Sequence, residues 1–228
     1  TYASALNDLL SINSIYLEEF LQENDDHLLY RFYCYRERFG EAATVAHRLS
    51  KASRTLQARI DWLVDAIRSE SACGGNSSGI DVHTLNEELD VAKIQMIIYN
   101  YISTSSLDGT QKRNALQQLD SNLLGLSELF NQFASPLKLW EIQLIIFHAA
   151  GHVDPHRVKK CWEQILGGNS NIEALEKKII GLGGQLYPSE WAFPVDYLCE
   201  ELEKTNSRVH QISDLEYPWV VALMSRVE

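Results

Sequence analysis

Proline and glycine are scarce in this chain, five and 12 of 228 residues. So small a supply of chain breakers excludes collagen-like and low-complexity classes. Cysteine is rarer still: Cys34, Cys73, Cys161 and Cys199 are scattered, with no Cys-x-x-Cys pair. A disulfide framework would be denser, so a reducing compartment, cytosol or nucleus, fits better. No apolar run approaches the ~18 residues a bilayer crossing requires, and no membrane span is expected. Basic charge is also short: 20 Lys and Arg stand against 31 Asp and Glu, a net of −11, with no Lys/Arg block. Such a surface repels phosphate backbones, which argues against nucleic-acid binding. A basic-then-apolar leader is missing, and the chain starts at Thr1 and not Met, which suggests a fragment of a longer protein.

What the chain has is leucine, thirty of them, and every strong periodicity is helical. Leu56, Ile60, Leu63, Val64 and Ile67 fall at i, i+4, i+7, i+8 and i+11, a single helix face over residues 53–72. Gly74–Gly79 then reads as a flexible loop. Thr84 and Glu87 have capping-box spacing and open the next helix, which runs to about Ile102. That helix carries two apolar stripes, Leu85, Leu89, Ala92, Met96 and Tyr99 beside Val91, Ile94, Ile98 and Ile102, as expected of a helix sandwiched between neighbours. Leu116, Leu119, Leu123, Leu126, Phe130 and Phe133 alternate steps of three and four, which predicts one long helix over 111–134 with a continuous seam. Ser135–Pro136 and Asp154–Pro155 read as N-cap plus first-turn proline, each starting a helix. The helix after Pro136 is apolar nearly all round, and Gly151 ends it.

The same grammar holds at both ends. Leu28, Phe32, Tyr35 and Phe39 form a stripe before Gly40, and Ala42, Val45, Ala46 and Leu49 form the next. Ser170 and Glu173 box the start of a helix carrying Ile172, Leu175, Ile179 and Leu182, which Gly181, Gly183 and Gly184 should end. Pro194 opens a last helix with Val195, Leu198 and Leu202 inward. No alternating β-branched run is bounded by hairpin turns. The expectation is an all-α chain of roughly ten to twelve helices joined by short links. Two-sided helices favour an irregular α-helical solenoid of stacked antiparallel pairs, with a closed bundle as the structural alternative.

Chemistry-bearing clusters are few. His148, His152 and His156 are spaced by four and could share a zinc face on one helix, but Gly151 and Asp154–Pro155 break the chain between them. Asn24, Asp25 and Asp26 read as a solvated cap and not as a magnesium carboxylate pair. Gly181-Leu182-Gly183-Gly184 has neither a preceding strand nor a following Lys-Ser/Thr, so it is no phosphate loop. No nucleophile elbow or Cys–His pairing stands out. Asn76-Ser77-Ser78 matches a glycosylation sequon, read as an accident of an exposed loop. No catalytic residue, cofactor or metal site is expected, and the chain does not read as an enzyme.

Several stretches resemble a known family. Leu28–Ala52 (LLYRFYCYRERFGEAATVAHRLSKA), Leu56–Ser69 (LQARIDWLVDAIRS), Leu85–Met96 (LNEELDVAKIQM), Gln118–Leu123 (QLDSNL), Phe130–Leu139 (FNQFASPLKL) and Glu141–Asp154 (EIQLIIFHAAGHVD) carry the likeness. In order and spacing they resemble the C-terminal region of the large non-repetitive inner-ring scaffold nucleoporins, which join a β-propeller to an α-solenoid. The resemblance implies that residues 1–228 are a single segment of a C-terminal α-solenoid, sited at the nuclear pore complex of the nuclear envelope. It implies other nucleoporins as partners, including short motifs of flexible linker nucleoporins, and a supporting role in nucleocytoplasmic transport. A generic helical adaptor of another large assembly, such as a vesicle coat or proteasome lid, is the alternative, and a helical metal-dependent enzyme a more distant one.

Aromatic residues concentrate near the C-terminal end. Tyr187, Trp191, Phe193, Tyr197, Tyr217 and Trp219 share a stretch with Pro188, Pro194 and Pro218. Two expectations follow: the rings close the last apolar face of the solenoid, or some line a groove for a partner segment. Trp191, Phe193, Tyr197 and Trp219 are the candidate partner-binding residues, and the surrounding acidity would favour basic residues on the partner.

Overall fold

Side-chain caps from Asp25, Thr55, Asp81, Asp108 and Asp154 mark five helix starts. The computed structural model describes residues 9–11, 14–73, 79–106, 108–167 and 172–209. Among these there are eleven α-helices from Ile15 onward, helical residues at 9–11, and no strand. No helix of the described residues is long and apolar enough to cross a membrane. The chain divides into two compact units, Thr1–Leu124 and Gly125–Glu228.

The first unit holds α1 (Ile15–Asn24), α2 (Asp26–Tyr35), α3 (Phe39–Ala52), α4 (Leu56–Ser71), α5 (Val82–Thr104) and α6 (Gly109–Ser121). Asp25 alone separates α1 from α2, and its carboxylate accepts the Leu28 N–H at 3.0 Å, which is the cap role read from the Asn24-Asp25-Asp26 cluster. Leu21, Leu29, Phe32, Tyr33, Val45 and Leu49 form one core. Ala46, Leu56, Leu63, Ala66, Leu85, Leu89 and Ala92 form a second. Alanines at Ala42, Ala43, Ala46 and Ala66, all fully buried, let α3 and α4 pack closely. Polar ties sit over these contacts. Tyr33 Oη donates to Glu18 Oε1 at 3.0 Å and Arg38 Nη1 to Glu18 Oε2 at 2.8 Å, which joins α1 to the start of α3. The guanidinium of Arg38 holds the Glu18 carboxyl below its ordinary value, against the opposing effect of burial. His47 Nε2 and Glu88 Oε2, 2.9 Å apart, tie α3 to α5.

Several sequence expectations are corrected here. The stripe in α2 is Leu29, Phe32 and Tyr33, while Tyr35 is exposed and Gly40 lies inside α3, not after a helix. Tyr33 can be buried because Gln22 and Glu18 satisfy its hydroxyl. Helix α5 starts a turn before the Thr84 box: Asp81 is the cap, accepting the His83 N–H at 3.0 Å, and Glu87 instead lies 3.2 Å from His83. Both predicted stripes of α5 are buried or half-buried along their length. The long seam helix over 111–134 is two pieces. Helix α6 stops at Ser121, and the backbone is extended at Asn122 before a new start at Gly125.

The second unit begins with α7 (Leu126–Leu129), which runs directly into a π-helical turn, Phe130–Ala134. It continues with α8 (Trp140–Ala149), α9 (Pro155–Gly167), α10 (Ile172–Leu186) and α11 (Val195–Val209). Glu128 accepts the Gly125 N–H at 2.9 Å and starts α7. Ser135–Pro136 does not cap α8; it lies in the turn that unwinds the π segment, and Lys138 at φ 54° reverses the chain before Trp140. Asp154–Pro155 does start α9, with Asp154 accepting the Arg157 N–H at 3.1 Å. Gly151, at φ 60°, supplies the left-handed turn that ends α8. Residues Gly181, Gly183 and Gly184 do not end a helix: α10 passes through all three to Leu186. Ser170, Asn76-Ser77-Ser78 and most of the Gly74–Gly79 loop lie outside the described residues.

The core of this unit centres on Trp162, fully buried, with Leu144, Phe147, Leu175, Ile179, Leu182, Leu186, Phe193, Leu198 and Leu202 around it. Burial of this scale drives the packing of α8 to α11, each large apolar side chain contributing about 1.5–3 kcal/mol. Trp140, on the helix that is apolar nearly all round, is only partly buried and packs against the edge of that core.

Candidate partner-binding surface

The segment between α10 and α11 is short, bent and strongly anchored. Its amide and carbonyl groups close on one another: Ser189 N donates to Leu186 O at 2.9 Å, and Ala192 N and Phe193 N both donate to Ser189 O, at 3.1 and 2.8 Å. Trp162 Nε1 reaches across from α9 to donate to the Ala192 carbonyl at 3.0 Å. The Phe193 ring meets the Trp162 indole edge-on, centroids 5.5 Å apart and planes at 82°. The turn therefore cannot shift without disturbing the core.

This turn and the start of α11 enclose a recess of about 540 Å³, lined by Tyr187, Pro188, Glu190, Phe193, Pro194, Val195 and Asp196. Phe193, 1% exposed, is its floor; Tyr187 at 42% and Val195 at 37% are apolar groups left open on the rim. Val195 was expected inward, but the core face of α11 is carried by Leu198 and Leu202. Glu190 and Asp196 are exposed carboxylates in the same lining, and no ion pair of either is seen among the described residues.

The four candidate residues fall in different places. Phe193 is a core residue that also floors the recess. Trp191 is half-buried beside α8, its ring 6.0 Å from that of His148. Tyr197 is half-buried with Lys159 Nζ 5.3 Å from its ring centroid, and burial, with Glu201 and Glu163 adding to it, pushes its hydroxyl up. Trp219, like Tyr217, lies outside the described residues. The recess thus brings together Phe193 with Tyr187, Glu190, Val195 and Asp196, and leaves Trp191 and Tyr197 off its lining. Glu190 and Asp196 were missed because single acidic residues carry no periodic signal; their positions beside Pro188 and Pro194 were the available clue. His148, His152 and His156 are spread over α8, the link and α9, and no group of three potential metal ligands gathers among the described residues.

A family model described as non-repetitive/WGA-negative nucleoporin, C-terminal, matches residues 4–228. A probable nucleoporin of Schizosaccharomyces pombe is 30% identical over 223 residues, which cover 86% of this chain and 17% of that protein. The nuclear pore complex protein Nup154 of Drosophila melanogaster is 28% identical over 221 residues, covering 87% of this chain and 16% of its own length. The chain therefore spans less than a fifth of the curated relatives it matches. Chaetomium thermophilum Nup170 CTD aligns over 99% of this chain and 50% of its own, with a TM-score of 0.82 at 22% identity. The same domain in a complex with Nup145N aligns with a TM-score of 0.81 at 21% identity, over 99% of this chain and 52% of that one. These likenesses carry the fold, the irregular all-α solenoid expected from the helical periodicity. Matched by the family model over nearly its whole length, the chain belongs to the non-repetitive/WGA-negative nucleoporin C-terminal family.

Proposed function

We propose that this chain is a structural segment of a nuclear pore scaffold subunit, sited at the nuclear envelope, that binds other nucleoporins and supports nucleocytoplasmic transport without catalysing a reaction. The family match over residues 4–228 carries this reading. Two physical features support it. The charge, −11 overall, favours protein partners over nucleic acid. The rigid helical units present a preformed surface, which lowers the ordering cost of capturing a short segment of a linker nucleoporin. The Chaetomium thermophilum relative has been crystallised with Nup145N, and by that likeness the partner class here is another nucleoporin.

Affinity capture from nuclear-envelope extract with this chain as bait tests the reading. Other nucleoporins are the expected catch, with no dependence on added metal or cofactor. Vesicle-coat or proteasome-lid subunits in their place would overturn it in favour of a general helical adaptor.

A further inference from the structure

The recess between α10 and α11 has a composition that selects its occupant. Its floor is apolar and fixed, because Phe193 is held by the Trp162 ring and the Ser189 carbonyl. Its rim leaves Tyr187 and Val195 open to solvent. Its walls carry two carboxylates, Glu190 and Asp196. A wholly apolar ligand would strip water from those carboxylates and leave them unpaired. An acidic segment would be repelled by them and by the net charge of −11. A bulky apolar side chain seated on Phe193, with a cation beside it, satisfies both parts of the lining at once. A volume of about 540 Å³ is ample for one such side chain and its neighbour.

We propose that this recess docks a peptide segment of a protein partner in which a bulky apolar residue stands next to a lysine or arginine. The Glu190 and Asp196 carboxylates read the cation, while Tyr187, Phe193 and Val195 hold the apolar group. The partner being a nucleoporin rests on the reading above; the chemistry of the segment does not. Because the turn is anchored before anything binds, the peptide alone pays the ordering cost. Capture weakens as salt rises, since the carboxylates act from an exposed rim.

The experiment is an NMR titration of the 228-residue chain with an acetylated hexapeptide carrying phenylalanine followed by lysine in a glycine–serine context. Saturating shifts at the Val195 methyls and Tyr187 ring are expected by about 1 mM peptide. Replacing the peptide's phenylalanine by serine should abolish them. The double reversal Glu190→Lys with Asp196→Lys should weaken binding about tenfold and favour a glutamate-for-lysine peptide over the original. Glu200→Lys, an exposed change of the same sign outside the recess, should weaken it less than about twofold. Absence of saturation, or equal losses in Glu200→Lys and the double variant, overturns the recess. In the extract experiment, nucleoporins captured equally by wild type and the double variant overturn the recess and leave the scaffold reading standing. A wild-type catch without nucleoporins overturns the scaffold reading itself.

Discussion

Gln95 donates from Nε2 to the Asn122 carbonyl at 2.7 Å and accepts the Leu124 N–H on Oε1 at 2.8 Å. A side chain in the middle of α5 thereby satisfies the backbone where α6 has stopped, and it also donates to the Leu119 carbonyl. The opposite side of the same break is held from α4. Arg59 Nη2 donates to the Ser121 carbonyl at 3.1 Å and to Ser53 at 3.0 Å, and Asp120 accepts the Leu56 N–H at 2.8 Å. Interrupting a helix exposes carbonyls and amides that must find partners. Here buried side chains from two neighbouring helices supply them.

Gln95→Leu keeps the volume and removes all three hydrogen bonds inside a buried site. It should destabilise the chain by about 2–4 kcal/mol, most of it from backbone groups left unpartnered. Urea unfolding should show a lower midpoint with an unchanged m-value. An unaltered midpoint would mean that water enters and takes over the role.

The two tryptophans of the second core should separate sharply. Trp162 is fully buried, stacked edge-on against Phe193 and bonded to the Ala192 carbonyl, so Trp162→Ala should cost about 3–5 kcal/mol. Trp140 keeps part of its ring in solvent, and Trp140→Ala should cost only about 1–2 kcal/mol. Thermal unfolding of both variants side by side measures the gap; equal losses would contradict these placements.

Gly181 and Gly184 lie within α10, both exposed, and a Cβ at either position would meet nothing within 4 Å. Alanine there loses less conformational entropy on folding and should stabilise by about 0.5–1 kcal/mol per site. The melting midpoint should rise by about 2 °C for each substitution. A fall would show that another part of this chain packs against those positions and resists the added methyl.

Glu18 gives a pH signature. Its carboxyl is held down chiefly by the Arg38 guanidinium, from a usual value of 4.5. A lowered folded value contributes stability that is complete above about 4.5 and is lost as pH falls through the folded value. Glu18→Gln should therefore be less stable than wild type at pH 7, by under about 1 kcal/mol given the part-exposed Arg38. The difference should close as pH drops below 4.5. Chemical denaturation at pH 7 and pH 3 compares the two ends; a constant difference would assign the effect to packing.

Helix existence and most buried faces were legible in the sequence, because burial imposes the 3.6-residue period that Leu85, Leu89 and Ala92 follow. Boundaries were not, wherever a distant side chain decides them. The spacing of Leu119, Leu123 and Leu126 is compatible with one helix, and only the buried amide of Gln95, 27 residues from Asn122, reveals that the chain is broken there. The π-helical turn is hidden for the same reason: Gln143, from α8, donates to the Ala134 carbonyl at 2.9 Å. The glycines of α10 mislead in the other direction, since tertiary packing of Ile179, Leu182 and Leu186 outweighs weak local propensity. For the recess, aromatic and proline enrichment located the right stretch. It could not tell the buried ring of Phe193 from the open ring of Tyr187, because that depends on where Trp162 stands.

The grip of Gln95 on residues 119–124 bears on how the chain can be cut and rejoined. A protein engineer choosing an insertion point from helix boundaries would pick the stretch from Asn122 to Leu124, which has no helix and closes the first unit. Its Leu124 amide is nevertheless clasped by the middle of α5, so a tag placed there would pull on the centre of the unit. The turn at Gly151, exposed and with open space around its Cα, is the better splice site.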